Sequence, residues 1–391
     1  MSHVRRGSLV DVLDHGAVGD GRTDDTAAIQ AAIDRGGVTF LPPGDYSCRT
    51  LTLRRGSHLV GSNSGTYTYR RNEYLADYAP GTVSRIVRRP STNGPLLLGP
   101  VGAKRVIVED LQLDGINARQ GDDEAPVVEL TDSPDAEDTQ WVLSRCYVHG
   151  RSDPRAAHWG RAASNIYIGA GRMACHLTDT VSNHANRHGL EVNGADTVVD
   201  RCILGDNGAH GIVIGAWVAA VNLCAIYNNE DGIHVTATGA GSPKRILLTG
   251  NGIDRNRRHG ILVDGGQGSG AAGVSVMNNL FTTNSTRADG GASHVAVMTT
   301  SGHVALGGNV FSILEPGHRH RTAAAVHLAE GAAALDMGNV YEGGSVLGFT
   351  NTPGGLYTRT RSGVSGDDDA ASQWGGPGVV HDGARPAARA D

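Results

Sequence analysis

Aromatic side chains are scarce, at 5% of 391 residues. That scarcity suits thin strands and tight turns better than a globular helical core. No apolar run approaches the roughly 20 residues that a membrane-spanning helix needs. Positive charge is not in excess either: 34 Lys and Arg stand against 40 Asp and Glu, a net charge of −6. This removes the electrostatic case for nucleic acid or an anionic membrane as a partner. The five cysteines (Cys48, Cys146, Cys175, Cys202 and Cys224) are odd in number and lack CxxC spacing. They read as reduced, buried thiols, not as a disulfide framework or a thiolate metal site. The N-terminus carries basic residues but no apolar h-region before Asp11. The expectation is a cytoplasmic protein without a Sec signal, or a secreted one whose leader has been trimmed.

Glycine, by contrast, is abundant at 56 residues, and some of it is periodic. One phrase is written four times: His188-Gly-Leu-Glu-Val-Asn-Gly, His210-Gly-Ile-Val-Ile-Gly, Asp231-Gly-Ile-His-Val-Thr and His259-Gly-Ile-Leu-Val-Asp-Gly. Its glycines, Gly189, Gly211, Gly232 and Gly260, are 22, 21 and 28 residues apart. A period of twenty-odd residues marks a stacked solenoid, in which equal offsets lie above one another. Asn207, Asn228 and Asn256 each stand three residues ahead of the phrase, which predicts a structural asparagine ladder along the axis. The heads His188, His210, Asp231 and His259 predict a second ladder at the turn entering the strands. Imidazoles in line could bind metal or shuttle protons, but a straight ladder closes no tetrahedron. Turn capping is the simpler reading.

Residues 10–46 run from Val-Asp-Val-Leu-Asp through a Gly/Asp turn to Thr23–Asp25, then Ala27, Ala28, Ile29, Ala32 and Ile33, the strand Val38–Leu41, and Pro-Pro-Gly. Thr23 to Asp25 offer caps for a short amphipathic helix. This segment resembles the N-terminal capping element of the pectate-lyase-like superfamily of right-handed parallel β-helices. That superfamily includes polygalacturonase-like glycosidases, rhamnogalacturonan-degrading enzymes and phage tailspikes. The resemblance implies an all-β, right-handed parallel β-helix with a short capping helix and a bias toward sugars. Asp20, Asp24 and Asp25 look catalytic in isolation, but turn formation and capping account for them.

Residues 1–350 are thus expected to form one β-helix domain, with 10–46 as its cap and 351–391 as a flexible tail rich in Gly, Asp and Ala. Strand triplets of period 2 predict an outward column: Glu129, Tyr167, Glu191, Val213, His234, Leu262, Ala296, His327. Two residues on, a parallel column reads Thr131, Gly169, Asn193, Gly215, Thr236, Asp264, Met298. Candidate catalytic groups are Glu191, Glu129, Tyr167 and His234, which pair proton donors with acceptors. Candidate substrate-binding groups are Asn193, His188, Asp264 and Thr236, joined by Trp159 and Arg161 from an irregular stretch at 150–163. No metal ligands and no cofactor are called for; calcium is left open.

The hydrolase motifs of polygalacturonase-like enzymes are absent. Ala209-His210-Gly211 and Arg187-His188-Gly189 only approximate Gly-His-Gly, and no calcium-binding aspartate cluster is evident. The leading expectation is an enzyme cleaving glycosidic bonds of a glycan on the strand face, by hydrolysis or elimination. One alternative is an isomerase, epimerase or cyclase acting on a small molecule. Another is a non-catalytic, glycan-binding or tail-fibre-like solenoid.

Overall fold

The computed structural model describes residues 9–70, 73–77, 81–89, 92–115, 125–131, 139–150, 164–171, 173–236, 245–264, 273–286, 292–298, 303–312, 324–329, 332–341, 349–351, 356–360 and 380–382. Trp159 and Arg161 lie outside these residues. Each coil contributes one short strand to each of three faces. In a central coil these are Val218–Asn222, Ala225–Tyr227 and Ile233–Val235; in the next they are Arg245–Thr249, Gly252–Asp254 and Ile261–Val263. Stacking gives three parallel sheets of 14, 12 and 11 strands among the described residues, the arrangement of a parallel β-helix. Alternation does the sorting. Ile233 and Val235 are fully buried while His234 between them is partly exposed. Such coils send apolar side chains inward and release the intervening one to a surface, whereas Val213, Leu262 and Ala296 at the same offset are buried. The core includes stacked Phe281 and Phe311 rings, with centroids 4.9 Å apart.

The one α-helix among the described residues, Thr26–Arg35, closes the N-terminal end over Ile29, Ala32 and Ile33. It is far too short to cross a membrane. The neighbouring aspartates are structural. Asp20 accepts the backbone N–H groups of Arg22 and Thr23, at 2.8 and 2.7 Å. Asp24 accepts from Thr26. Asp25 stands at the N-cap, but its buried carboxylate turns away from the helix to accept Val18 and Gly19 N–H, at 2.7 and 3.2 Å.

Sharp corners join the sheets, and two of them carry ladders. At the corner before the 11-stranded sheet the ladder is Asn207, Asn229, Asn256, Asn284, each amide donating to the next side-chain oxygen at 2.8–3.2 Å. Asn228 is therefore not a member, contrary to the three-residue offset. It takes the left-handed turn position (φ 55°) immediately before the ladder, as Asp206 and Arg255 do in neighbouring coils. Its amide bonds Asp206 at the surface. A second ladder at the other corner, Asn251, Asn279, Asn309, Asn339, was not foreseen. Cys224 continues it downward, its backbone N–H donating to Asn251. The five thiols are free and buried.

Strand pairing continues past residue 350. Strands Phe349–Asn351, Leu356–Thr360 and Val380–Asp382 pair in register with preceding coils. Part of the presumed tail therefore prolongs the sheets. Its Gly- and Asp-rich composition hid two short strands.

Candidate active site on the third sheet

The outward column of the 11-stranded sheet is in register throughout. Glu129 pairs with Tyr167, Tyr167 with Glu191, Glu191 with Val213, Val213 with His234, and His234 with Leu262. Neighbouring strands lie ~4.8 Å apart, so Glu129 and Glu191 are roughly 9.6 Å apart at the backbone with Tyr167 between them. Glu191 and His234 flank Val213 at the same spacing. Glu129, Tyr167, Glu191 and His234 are all partly exposed, whereas Val213 is 5% exposed. Val213 and Gly215 are shorter than Glu191 and Asn193 on one wall and His234 on the other.

Two neighbours hold the Glu191 carboxylate. Ser164 donates its hydroxyl to Oε2 at 3.0 Å, and Asn193 donates its amide to Oε1 at 3.3 Å. Asn193 lies on the same strand two residues on, so the pleat itself places both groups on one side. Ser164 precedes the first strand of the pair and was not foreseen. On the far wall, His234 Nε2 lies 2.8 Å from Asp264 Oδ2, with the two side chains 16% and 33% exposed. Thr236 is buried and contributes its backbone N–H to Ile214.

The His and Asp heads of the repeated phrase follow one rule with one exception. His188 Nδ1 accepts the backbone N–H of His210, Asp231 Oδ1 that of His259, and His259 Nδ1 that of Ser293, at 3.3, 2.9 and 3.0 Å. These are turn caps between coils, as expected. His188 is buried, and its place in the site is a supporting one. Burial first, then the nearby charges of His210, Arg187 and His234, push its ring down to about 3.

His210 is the exception. Its ring stacks on His188 (centroids 5.0 Å, 7° between planes) and meets His234 edge-on at 4.8 Å. Its Nε2 lies 3.3 Å from His234 Nδ1, and its Nδ1 lies 3.1 Å from Asp231 Oδ2 in an oblique approach. Burial works against ionisation of Asp231. The His210 contact and charge, the His259 N–H and Arg258 outweigh it and hold the carboxyl below its usual range. The sequence did carry one hint of this turn. The phrase headed by His210 has Val213 and Gly215 where its neighbour has Glu191 and Asn193, which leaves room for two rings. Among the described residues, no group of three His, Cys, Asp or Glu is arranged to hold a metal ion.

Several known proteins are similar to this chain in sequence or in fold. Depolymerase 1, capsule K30/K69-specific, of Klebsiella phage K5-2 is 26% identical over 347 residues, 84% of this chain and 40% of its own length. Mannuronan C5-epimerase AlgE6 of Azotobacter vinelandii is 36% identical over 125 residues, 29% of this chain and 13% of its own. The chain thus spans about two fifths of the depolymerase and a smaller part of the epimerase. The A-module of A. vinelandii epimerase AlgE4 superposes with a TM-score of 0.61 at 18% identity, over 91% of this chain and all of that one. Tailspike protein 2 of Escherichia coli O157:H7 bacteriophage CAB120 gives 0.67 at 14% identity, over 85% of this chain and 42% of the tailspike. Both likenesses are of fold. A family model described as rhamnogalacturonase A/epimerase, pectate lyase-like, matches residues 9–234, more than half of the chain. The protein belongs to that family.

Proposed function

We propose that the protein is a carbohydrate-active enzyme that cleaves glycosidic bonds in a polysaccharide lying along the 11-stranded sheet. The observation that carries this reading is the in-register set Glu129, Tyr167, Glu191, with Glu191 held by Ser164 and Asn193. The backbone spacing of roughly 9.6 Å is just beyond the 6.5–9.5 Å that inverting glycosidases keep between acid and base carboxyl groups. Glu191 and Glu129 divide the acid and base roles, while Tyr167 and His234 polarise the substrate. From Glu129 to His234 the column extends over four strand spacings, roughly 19 Å. A face that long suits an extended polymer better than a small molecule. Similarity over most of the chain to a capsule-specific phage depolymerase supports the same choice.

A second reading is epimerisation, favoured by the 36% identity to a mannuronan C5-epimerase over 125 residues. It requires a base on one side of a sugar carbon and a proton donor on the other, and Tyr167 and His234 would supply that pair.

One experiment separates the reactions. Capsular and uronate-containing polysaccharides are incubated with the protein in deuterated water, and the products are read by mass spectrometry. Hydrolysis adds water across each new end. Elimination leaves an unsaturated end that absorbs in the ultraviolet. Epimerisation keeps chain length and places one deuterium on a ring carbon. If native protein and Glu191→Gln leave every polymer unchanged, the enzymatic reading fails.

A further inference from the structure

The 14-stranded sheet is a different side of the solenoid from the one that carries Glu191, and its outward face is built differently. Register runs unbroken from Val198 through Ala220, Leu247, Ser275 and Ala305 to Leu335. That row carries no charge over five strand spacings, roughly 24 Å. Leu247 and Leu335 are 42% and 37% exposed, and Trp217 beside the row is 52% exposed. A shallow groove of about 610 Å³ follows the row, lined by Val198, Val218, Ala220, Leu247 and Ala305. Asp196 and Arg245 also line it; both are exposed, and neither has an ion-pair partner among the described residues. A contiguous apolar surface of this length marks a place where something binds.

The order of residues along the face says what fits it. Asp196 adjoins the pair Thr197–Ala219, and Val218 pairs with Arg245. Asp196, Val218 and Arg245 therefore occupy one edge of three consecutive strands, with acid and base two spacings apart. A two-fold axis laid along the strand through Val218 and Ala220 reverses the order of the coils and keeps each row opposite itself. It sets Asp196 of each copy against Arg245 of the other. In the middle row it sets Val198 against Leu247, His176 against Ser275, Val142 against Ala305 and Ile107 against Leu335. Ala220 meets its own copy on the axis, where a small side chain lets the sheets approach to the ~10 Å of face-to-face packing. We propose that a second copy of this chain covers this face, forming a two-fold dimer whose solenoids run antiparallel. Such an interface is self-complementary, as a two-fold contact must be.

The face is large enough. Nine strands, from Val106–Glu109 to Ala333–Met337, span eight spacings, roughly 38 Å, and are about 16 Å wide. That offers roughly 600 Å² per copy and roughly 1,200 Å² in the pair, the size at which specific, stable interfaces begin. A glycan matches less well, because the middle row presents polar groups only at Ser275 and His176 to meet its hydroxyls. The dimer leaves the 11-stranded sheet of each copy uncovered, so two reacting faces are available to one long polymer. The inference uses a sheet that the proposed reaction does not, and it holds whichever reaction that is.

Sedimentation velocity of the purified chain over a range of concentrations tests it. The expected species has twice the 40.7 kDa of one chain. Ala220→Glu brings two carboxylates together on the axis and weakens the dimer by about 100-fold or more. Asp196→Arg opposes two cations at each edge contact and Arg245→Asp two anions, so each alone weakens association on the order of 10-fold. An equal mixture of those two variants restores opposite charges at both contacts and sediments as a heterodimer of near-native strength. Leu13→Glu, at a 46% exposed position on the N-terminal cap, leaves the dimer as in native protein. Circular dichroism and thermal unfolding establish that each variant is folded. The proposal is overturned by native protein that stays monomeric at every concentration, by a mass of three or more chains, or by a dimer that persists in folded Ala220→Glu. A mixture that associates no better than either charge variant alone overturns it too. So does a monomer that binds soluble polysaccharide or a different protein through this face, with binding lost in Ala220→Glu. A negative polysaccharide screen overturns the proposed reaction and leaves the sedimentation result standing.

Discussion

The side-chain amide of Asn256 donates to Asn284 at 2.8 Å, and Asn256 accepts the backbone N–H of Asn229 at 3.1 Å. A single buried side chain thus ties three consecutive coils together. Asn256→Ala strands the Asn229 N–H and the Ile226 carbonyl, to which the Asn256 amide also donates. Unpaired buried groups cost about 1–3 kcal/mol each, so a loss on the order of 3 kcal/mol is expected. Urea unfolding checks it: an unchanged midpoint would remove the ladder from the stability account.

The repeated glycines are there for space. A Cβ on Gly211 would lie 2.6 Å from the Gly232 carbonyl oxygen and 2.8 Å from the Asn229 amide. Gly211→Ala must therefore push adjacent coils apart. Overpacking of this kind costs about 1–3 kcal/mol, measurable as a lower Tm. A variant as stable as native protein would mean the corner relaxes freely.

Glu191 and Ser164 divide in their expected effects. Glu191→Gln removes a proton-transfer group and lowers turnover by about 10²–10⁴-fold. Ser164→Ala removes only one of the bonds that orient the carboxylate, so its effect on kcat is smaller. Steady-state kinetics on a confirmed substrate decide the order. Equal rates for Glu191→Gln and native protein would take Glu191 out of the chemistry.

Acid weakens the fold through buried histidines. Burial pushes His294 from 6.5 down to about 3. The unfolded chain protonates this ring near pH 6.5 while the folded one refuses the proton. Its contribution is complete above about 6.5 and is lost as pH falls toward about 3. His294 accepts from the Asn284 amide at 3.1 Å, a bond that Asn can replace. The stability of His294→Asn should thus fall less steeply than native across that interval. Parallel curves would contradict the assignment.

The thiols should be inert. Burial pushes Cys146 and Cys175 up to about 12, so thiolate is negligible near neutrality. Native protein is expected to resist alkylation that modifies all five cysteines in denaturant. Rapid labelling of any one under native conditions would show an opening of the coils.

Much of this was legible in advance because stacking is a repeated, nearest-neighbour event. Strand triplets at a regular period can pair only one way without exposing Ile233 or burying His234, so the outward column follows from alternation. The ladder was misplaced by one residue at Asn228 because a one-residue change in a corner alters no strand. The Asn251 ladder escaped because it is continued downward by Cys224 and Cys202, which share no letter with it. The strands after residue 351 escaped because their surroundings are rich in Gly and Asp.

The amino-acid order by itself determined the winding, the faces and the neighbours of Glu191 on its sheet, since backbone pairing between adjacent coils needs only period and alternation. The tertiary structure alone decided that His210 leaves the turn ladder, reaches Asp231 and His234, and joins Asp264 to them. Which way a ring turns depends on the room left by Val213 and Gly215 and on charges one and two coils away. That balance is three-dimensional, and no spacing along the chain encodes it.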